Sequence, residues 1–271
     1  NAQTDIVPVL MLKKEASIEA SESSQEFRGL LRERFLNEND TVLDYELCLY
    51  DTQPASVIGL KSEFIASARL DNLLSCFVAA QAMISSSSAN TCLMVCNDHE
   101  EVGSVSAIGA DGPFLETIVD RLSGSGSTSL VSRIINKSLM MSCDNAHATH
   151  PNFSNKHDGG HLPKLNGGPV IKVNVKQRYA TTSLTSSIFR QLCDELDIPV
   201  QTFVSRNDLG CGSTIGPITS ARLGVPTLDV GIPQLAMHSC REITGADDPL
   251  RLSRVLLEFF NKVEAITVGL E

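Results

Sequence analysis

The sequence lacks several features that would assign it to other classes of protein. No stretch approaches the roughly 18 to 20 consecutive apolar residues that a membrane-spanning helix requires. Acidic residues outnumber basic ones by 32 to 22, and the resulting formal net charge of −10 disfavours a nucleic-acid-binding surface. We therefore expect a globular chain with neither a membrane span nor a nucleic-acid partner.

The eight cysteines also lack a recognisable pattern. They form no Cys-x-x-Cys pair, and their spacing does not indicate a disulfide framework. They lie scattered through apolar segments, so we interpret most of them as buried thiols in a reducing compartment. At 271 residues the chain suits one large domain or two unequal ones, with a sizeable buried core.

An acidic turn follows one of the apolar runs. Residues 93–95 are apolar, and the chain then continues through Glu100, Glu101 and Gly103. Two adjacent glutamates in a turn that contains glycine can both reach one cleft, so one carboxylate could bind a metal while the other takes a proton from the attacking water. A solvated acidic turn is the alternative interpretation of these residues.

Short apolar segments alternate with amphipathic ones along most of the chain. The pattern predicts strands at 45–50, 91–95, 138–142, 170–175, 200–204 and 227–230, and helices at 27–36, 71–84, 112–122, 183–196 and 248–268, with a further helix that ends at Gly224. Such alternation implies an α/β fold with a central mixed sheet flanked by helices. In these folds, sites lie beyond the carboxyl ends of strands. The Gly-rich turn at 208–214 could cradle an anion, but it matches no phosphate-binding fingerprint, and close packing of the helix that follows is the simpler interpretation.

A carboxylate-rich set of residues occupies such positions. It comprises Asp71, Glu101, Asp144 and His238. Singly, Asp71 could be a helix N-cap, Asp144 a turn residue and His238 a surface imidazole. Together they suit one or two zinc ions, with manganese or cobalt as possible substitutes. A shared aspartate is the natural bridge between two cations.

Five motifs in order resemble the aspartyl aminopeptidase family, whose members are dinuclear zinc exopeptidases. The motifs are Ser-Ala-Arg-Leu-Asp-Asn-Leu at 67–73, Asp-His-Glu-Glu-Val-Gly-Ser at 98–104, Asp-Asn-Ala-His-Ala-Thr-His-Pro-Asn at 144–152, Gly-Gly-Pro-Val-Ile-Lys at 167–172 and Met-His-Ser-Cys-Arg-Glu at 237–242. The resemblance covers residues 42–271, which would be the C-terminal portion of the catalytic domain. Residues 1–41 more loosely resemble the end of the dimerisation domain that this family inserts.

The resemblance implies a role for each matched residue. Asp71 would bridge the two ions, Asp144 would complete the shell of one, and Glu101 with His238 that of the other. Glu100 would be the general base toward water. The positions that hold a substrate are matched by His147, Lys172 and Tyr179. Lys172 is the candidate for binding an acidic side chain, with a strand-edge charge as the alternative, and Tyr179 could instead be a core ring.

The family also implies an activity and an assembly. We expect hydrolysis of N-terminal Asp or Glu from peptides, with a preference for neutral residues such as Leu, or a catalytically silent assembly subunit, as alternatives. A homo-oligomer, a dodecamer by resemblance, is expected, in the cytoplasm or alternatively a vacuole.

One departure from the family concerns its first metal-binding histidine, which lies N-terminal to the bridging aspartate. No histidine precedes His99 here, and the chain starts at Asn1 rather than at a methionine. Either the sequence is a piece of a longer chain or the first metal site is impaired, and we favour the first interpretation. Taken alone, this stretch is expected to bind the second metal poorly and to turn over little.

Overall fold

A computed structural model describes residues 1–10, 20–124 and 128–262. The helices are α1 (Ala2–Asp5), α2 (Ala20–Phe35), α3 (Leu70–Ser85), α4 (Phe114–Ser123), α5 (Thr128–Asn136), α6 (Ser183–Glu195), α7 (Ile215–Leu223) and α8 (Asp248–Asn261), with 3-10 helices at Glu100–Val102 and Pro151–Lys156. The strands are β1 (Ser56–Ile58), β2 (Phe64–Ser67), β3 (Met140–Cys143), β4 (Ala146–His147), β5 (Val170–Val173), β6 (Gln201–Val204), β7 (Thr227–Gly231), β8 (Pro233–Leu235) and β9 (Glu242–Gly245). None of the helices in these ranges combines the length and the apolar composition needed to cross a membrane.

The chain divides into two compact units, Asn1–Tyr50 and Asp51–Glu271. In the first unit, the guanidinium of Arg28 on α2 donates to the backbone carbonyls of Val42 and Leu43 and lies over the ring of Tyr45. The predicted helix at 27–36 is confirmed within α2. The predicted strand at 45–50 is wrong, because no described strand lies beside it to supply the hydrogen bonds that an alternating segment needs.

The second unit contains two mixed sheets with helices packed on them. One sheet has the strand order β1-β2-β9-β8-β4, in which only β4 and β8 run parallel. The other has the order β3-β7-β5-β6, with β5 and β7 antiparallel and the other two pairs parallel. The mixed α/β class with flanking helices is therefore confirmed, although the strands form two sheets rather than one central sheet.

The core of this unit lies between the β3-β7-β5-β6 sheet and three helices. Fully buried side chains come from α6, α8 and strands β5 and β7, and α3 adds Val78 and Ala82. Helix α6 begins at a capping box between Thr182 and Thr185, which satisfies backbone N–H groups that the first turn leaves unpaired. These elements form a rigid base for the loops at the strand ends.

The structure confirms most of the predicted core elements. Strands β3, β5, β6 and β7 and helices α3, α4, α6, α7 and α8 lie where the pattern placed them, apart from end residues. The predicted strand at 91–95 is wrong: this stretch has no regular structure. The predicted end of α8 at 268 lies outside the described residues, and α8 ends at Asn261.

Asp229 on β7 is the polar centre of this core. Its fully buried carboxylate accepts hydrogen bonds from the backbone N–H of Ala180 and the hydroxyl of Thr214, both at 2.6 Å. Gly216 lies against it, and a Cβ at that position would come within 2.4 Å of the carboxylate oxygens. The Gly-rich turn thus packs closely against a buried carboxylate, which supports the packing interpretation over an anion site.

We expect Asp229→Asn to lower the free energy of unfolding. Asparagine replaces one of the two acceptor oxygens with an NH2 group, so the hydrogen bond from Ala180 or that from Thr214 must be lost or reversed, at a cost of about 1–3 kcal/mol. Urea unfolding followed by circular dichroism measures the loss. Asp194→Asn, at an exposed position on α6, is the control and should unfold like the wild type. Equal stability of the two variants would contradict this role for Asp229.

Candidate metal centre

Asp71 stands where β2 leads into α3. Its backbone departs from helical geometry, with φ −84° and ψ 110°, although it lies in the first turn of the helix. The N-cap is Arg69 instead, so Asp71 does not cap the helix in the way that its position in the sequence allowed. Its side chain is only 6% exposed and lies against His238, which follows β8.

Glu101 and His238 meet Asp71 from two other parts of the chain. The Nε2 atom of His238 lies 3.2 Å from Oδ2 of Asp71 and 3.2 Å from Oε2 of Glu101. His238 sits in the turn between β8 and β9, and Glu101 in the short 3-10 helix at Glu100–Val102. One potential ligand atom from each of the three residues lies within 4.8 Å of the others.

Asp144, directly after β3, is the next carboxylate of this cluster. Burial, followed by the neighbouring Asp144 carboxylate, raises the pKa of Asp71 from 3.8 to about 8. Lys172 on β5 donates from Nζ to Oδ2 of Asp144 at 2.9 Å and to the backbone carbonyl of Asn145 at 3.2 Å. This buried ammonium offsets part of the negative charge that the cluster concentrates.

Glu100 faces the same charges. Burial, with the carboxylates of Asp144 and Glu101, raises the pKa of Glu100 above its ordinary value, while Lys172 and His238 act in the opposite direction. A carboxylate shifted toward neutral pH is suited to accept a proton. Glu101 is adjacent in the chain but exposed, whereas Glu100 is half-buried.

His147 and Tyr179 lie in the surroundings of Lys172. The Tyr179 ring lies 5.3 Å from the Lys172 Nζ atom and 6.3 Å from the ring of Phe203, which also lies 6.3 Å from the His147 ring. Desolvation, with the charges of His157 and Lys172, lowers the pKa of His147. All eight predicted site residues therefore gather in one region of the second unit.

The residues present fit a divalent cation. Oδ1 of Asp71 is buried and has no hydrogen-bond partner among the described residues. Repulsion between carboxylates this close is costly unless a positive charge separates them. Carboxylate oxygens with one imidazole are donors that zinc accepts. The fit is clearest for one ion among Asp71, Glu101 and His238.

Two residues near the site were not predicted from the sequence. Glu242 accepts hydrogen bonds from the backbone N–H groups of Asp71 and His238. Asn145 donates from its side chain to the carbonyl of Leu70 and to the side chain of Gln234. Each of the two follows a metal-ligand candidate closely in the sequence, but their contacts cross from one segment to another and leave no local pattern.

Comparison with known proteins identifies the family. Residues 1–260 match the sequence model described as aminopeptidase I zinc metalloprotease (M18). The chain belongs to the M18 family.

M18 proteins resemble the chain in both sequence and structure. It is 55% identical over 268 residues to a probable M18 family aminopeptidase 2 of Stutzerimonas stutzeri, a match that covers 97% of this chain and 61% of that protein. The solved structure of Chaetomium thermophilum mApe1 has a TM-score of 0.77 at 31% identity and covers 96% of this chain and 60% of its own. The S. cerevisiae mApe1 dodecamer has a TM-score of 0.69 at 28% identity, with coverages of 78% and 49%. The chain therefore spans about three fifths of the length of the curated M18 relatives that it matches.

We expect the stability of the metal-free protein to fall with rising pH because of Asp71. The folded state keeps this proton until about pH 8, whereas the unfolded state loses it near 3.8, so the folded state binds more protons in between. Stability from this group is complete below the lower value and is lost as the pH rises through the upper one.

Urea unfolding in a chelator between pH 5 and pH 9 tests this expectation. Asp71→Asn should weaken the pH dependence, whereas Asp120→Asn, at an exposed position on α4, should leave it as in the wild type. Parallel pH profiles for the wild type and Asp71→Asn would show that Asp71 has an ordinary pKa.

Proposed function

We propose that this chain carries catalytic residues of a zinc-dependent aminopeptidase. The observation that carries the proposal is the convergence of Asp71, Glu101 and His238, whose potential ligand atoms lie within 4.8 Å of one another. The other carboxylate oxygen of Asp71, Oδ1, is buried without a hydrogen-bond partner among the described residues, and Glu100 precedes Glu101 in the chain. Membership of a family of zinc metalloproteases supports the same conclusion. The proposal includes residues 1–41 as the C-terminal part of a dimerisation domain and residues 42–271 as the C-terminal portion of the catalytic domain.

The proposal gives each carboxylate a separate role. Asp71, Glu101 and His238 would hold one zinc ion, and Asp71 would share a second ion with Asp144. Bound zinc supplies a Lewis acid that polarises a peptide carbonyl and favours ionisation of water. Mn²⁺ or Co²⁺ suits the same oxygen and nitrogen donors.

Glu100 would act as the general base. Its carboxylate accepts the proton of the attacking water and can pass it to the leaving amine, and a raised pKa suits both transfers near neutral pH. Glu101 faces His238 and would bind the metal instead. Their proximity in the chain keeps the base beside the ligands.

An acidic N-terminal side chain is the substrate class that Lys172 favours. The ammonium has three protons, and among the described residues two hydrogen bonds occupy it, to Asp144 and to the carbonyl of Asn145. The third would serve a substrate carboxylate. His147 and Tyr179, which lie near Lys172, would contact the same substrate.

The hydrogen bond from Lys172 to Asp144 favours a second candidate specificity. If the ammonium serves only to neutralise the cluster, the enzyme would prefer neutral residues such as Leu. A catalytically silent assembly subunit is the third candidate, because the described ligand set of three suffices for one ion only.

A homo-oligomer in the cytoplasm completes the proposal. A dodecameric M18 structure with a TM-score of 0.69 supports the assembly. The high similarity to bacterial relatives favours the cytoplasm over a vacuole.

We expect Glu100→Gln to retain zinc and to lose turnover, because an amide cannot accept the proton. Glu101→Gln is the matched variant and should lose zinc, since it removes a charged ligand. Zinc content after dialysis and hydrolysis of a fluorogenic amino-acid amide are measured on both. The assays use the 271-residue chain and, in parallel, that chain joined to the N-terminal segment of an M18 relative. Loss of zinc from Glu100→Gln instead would reverse the two assignments.

We expect Lys172→Met to reduce kcat/KM for an N-terminal Asp substrate by about 10- to 100-fold, the worth of one charged hydrogen bond. N-terminal Asn has the same shape without the charge and controls for general damage to the site, and N-terminal Leu tests the neutral alternative. An equal loss on Asp, Asn and Leu substrates would show that Lys172 only supports Asp144.

A further inference from the structure

Glu242, at the start of β9, has a buried carboxylate. Among the described residues, no cation contacts it. Its side chain is 2% exposed. Oε2 accepts a hydrogen bond from the backbone N–H of Asp71 at 2.9 Å, and Oε1 accepts one from the backbone N–H of His238 at 2.8 Å. Both carboxylate oxygens are therefore bound to main-chain donors.

The two donors belong to the residues that face each other in the candidate metal centre. Asp71 lies 171 positions from Glu242 in the sequence, and His238 only four. β2 and β9 pair antiparallel, with Ser67 opposite Glu242, so the sheet places the carboxylate beside the segment that leads to Asp71. One side chain thus joins two segments that are remote in sequence.

Neither segment is held by regular secondary structure at these points. The backbone of Asp71 is non-helical, and its N–H is available to a side chain rather than to the helix. His238 has a φ of 66°, in the left-handed region that residues with a Cβ seldom occupy. Hydrogen bonds to an ionised acceptor are among the stronger ones in proteins, so Glu242 can fix both conformations.

We propose that Glu242 is a positioning residue that sets the separation of Asp71 and His238 and thereby the metal affinity of the site. The inference rests on the proposed metal centre and extends it to a residue that does not itself bind the ion. The charge of Glu242 also adds to the negative potential at Asp71, which favours a cation there. Partners that orient metal ligands typically change metal affinity by about 10- to 100-fold when mutated.

A purely structural role is the competing explanation, and the chain offers a close match for testing it. Asp248, at the start of α8, is also fully buried, and its oxygens accept the backbone N–H groups of Asn166 at 2.6 Å and Gly168 at 2.9 Å. It differs from Glu242 in that the guanidinium of Arg251 lies 3.5 Å from its Oδ1 atom. Those backbone donors are not ligand candidates. Asp248→Asn therefore imposes the same chemical change on a similar arrangement away from the metal centre.

The experiment titrates the metal-free wild type, Glu242→Gln and Asp248→Asn with Co²⁺ and follows its visible absorption, with thermal unfolding in a chelator recorded alongside. Both variants should unfold at lower temperature than the wild type, because the amide NH2 group that replaces one carboxylate oxygen cannot accept the hydrogen bond of the backbone N–H that faces it. Only Glu242→Gln should bind Co²⁺ more weakly, by about 10- to 100-fold, with an altered absorption band.

Glu242→Ala, which loses both acceptors, should bind still more weakly, and if it fails to fold, Glu242→Gln alone decides the question. Wild-type affinity in Glu242→Gln would overturn the proposal, as would an equal loss of affinity in Asp248→Asn. Failure of the wild type to bind Co²⁺ would instead overturn the metal centre itself, and the role of Glu242 with it.

Discussion

Electrostatic repulsion among carboxylates is the constraint on which the candidate site depends. Burial, and after it the carboxylates of Asp144 and Glu101, raises the pKa of Asp71 and of Glu100. Lys172 is ion-paired with Asp144, and His238 lies between Asp71 and Glu101. The rest of the fold must stabilise these carboxylates against their mutual repulsion in a partly buried region. A divalent cation bound between them would reduce that repulsion.

Other buried carboxylates hold the surrounding loops in place. Asp229 binds the segment that carries Tyr179, Asp248 binds the loop at 166–168 that leads into β5, and Glu242 binds the segments of Asp71 and His238. Each satisfies backbone N–H groups that no helix or sheet satisfies, which a buried loop requires. Lys172 lies on β5, so this strand connects the loop held by Asp248 with the candidate site.

The M18 assignment and the geometry support each other from different directions. The sequence relationship covers nearly the whole chain, while the chain covers about three fifths of its curated relatives. The geometry brings the eight candidate site residues, although distant in sequence, into one region. The described ligand set is most complete for one ion.

The sequence by itself determined the class of fold and the strands and helices of the core, because β3, β5, β6, β7 and the helices that cover them carry apolar patterns that local periodicity records. The motifs also identified the family. The strands predicted at 45–50 and 91–95 were wrong. An apolar or alternating segment forms a strand only where a neighbouring strand is present to pair with it. The short strands β1, β2, β4, β8 and β9 were not predicted, because two to four residues leave little pattern. Only the tertiary structure decided that Lys172 is bound to Asp144 and that Glu242 joins the segments of Asp71 and His238, because contacts between residues 28 and 171 positions apart depend on how the sheets bring the chain together.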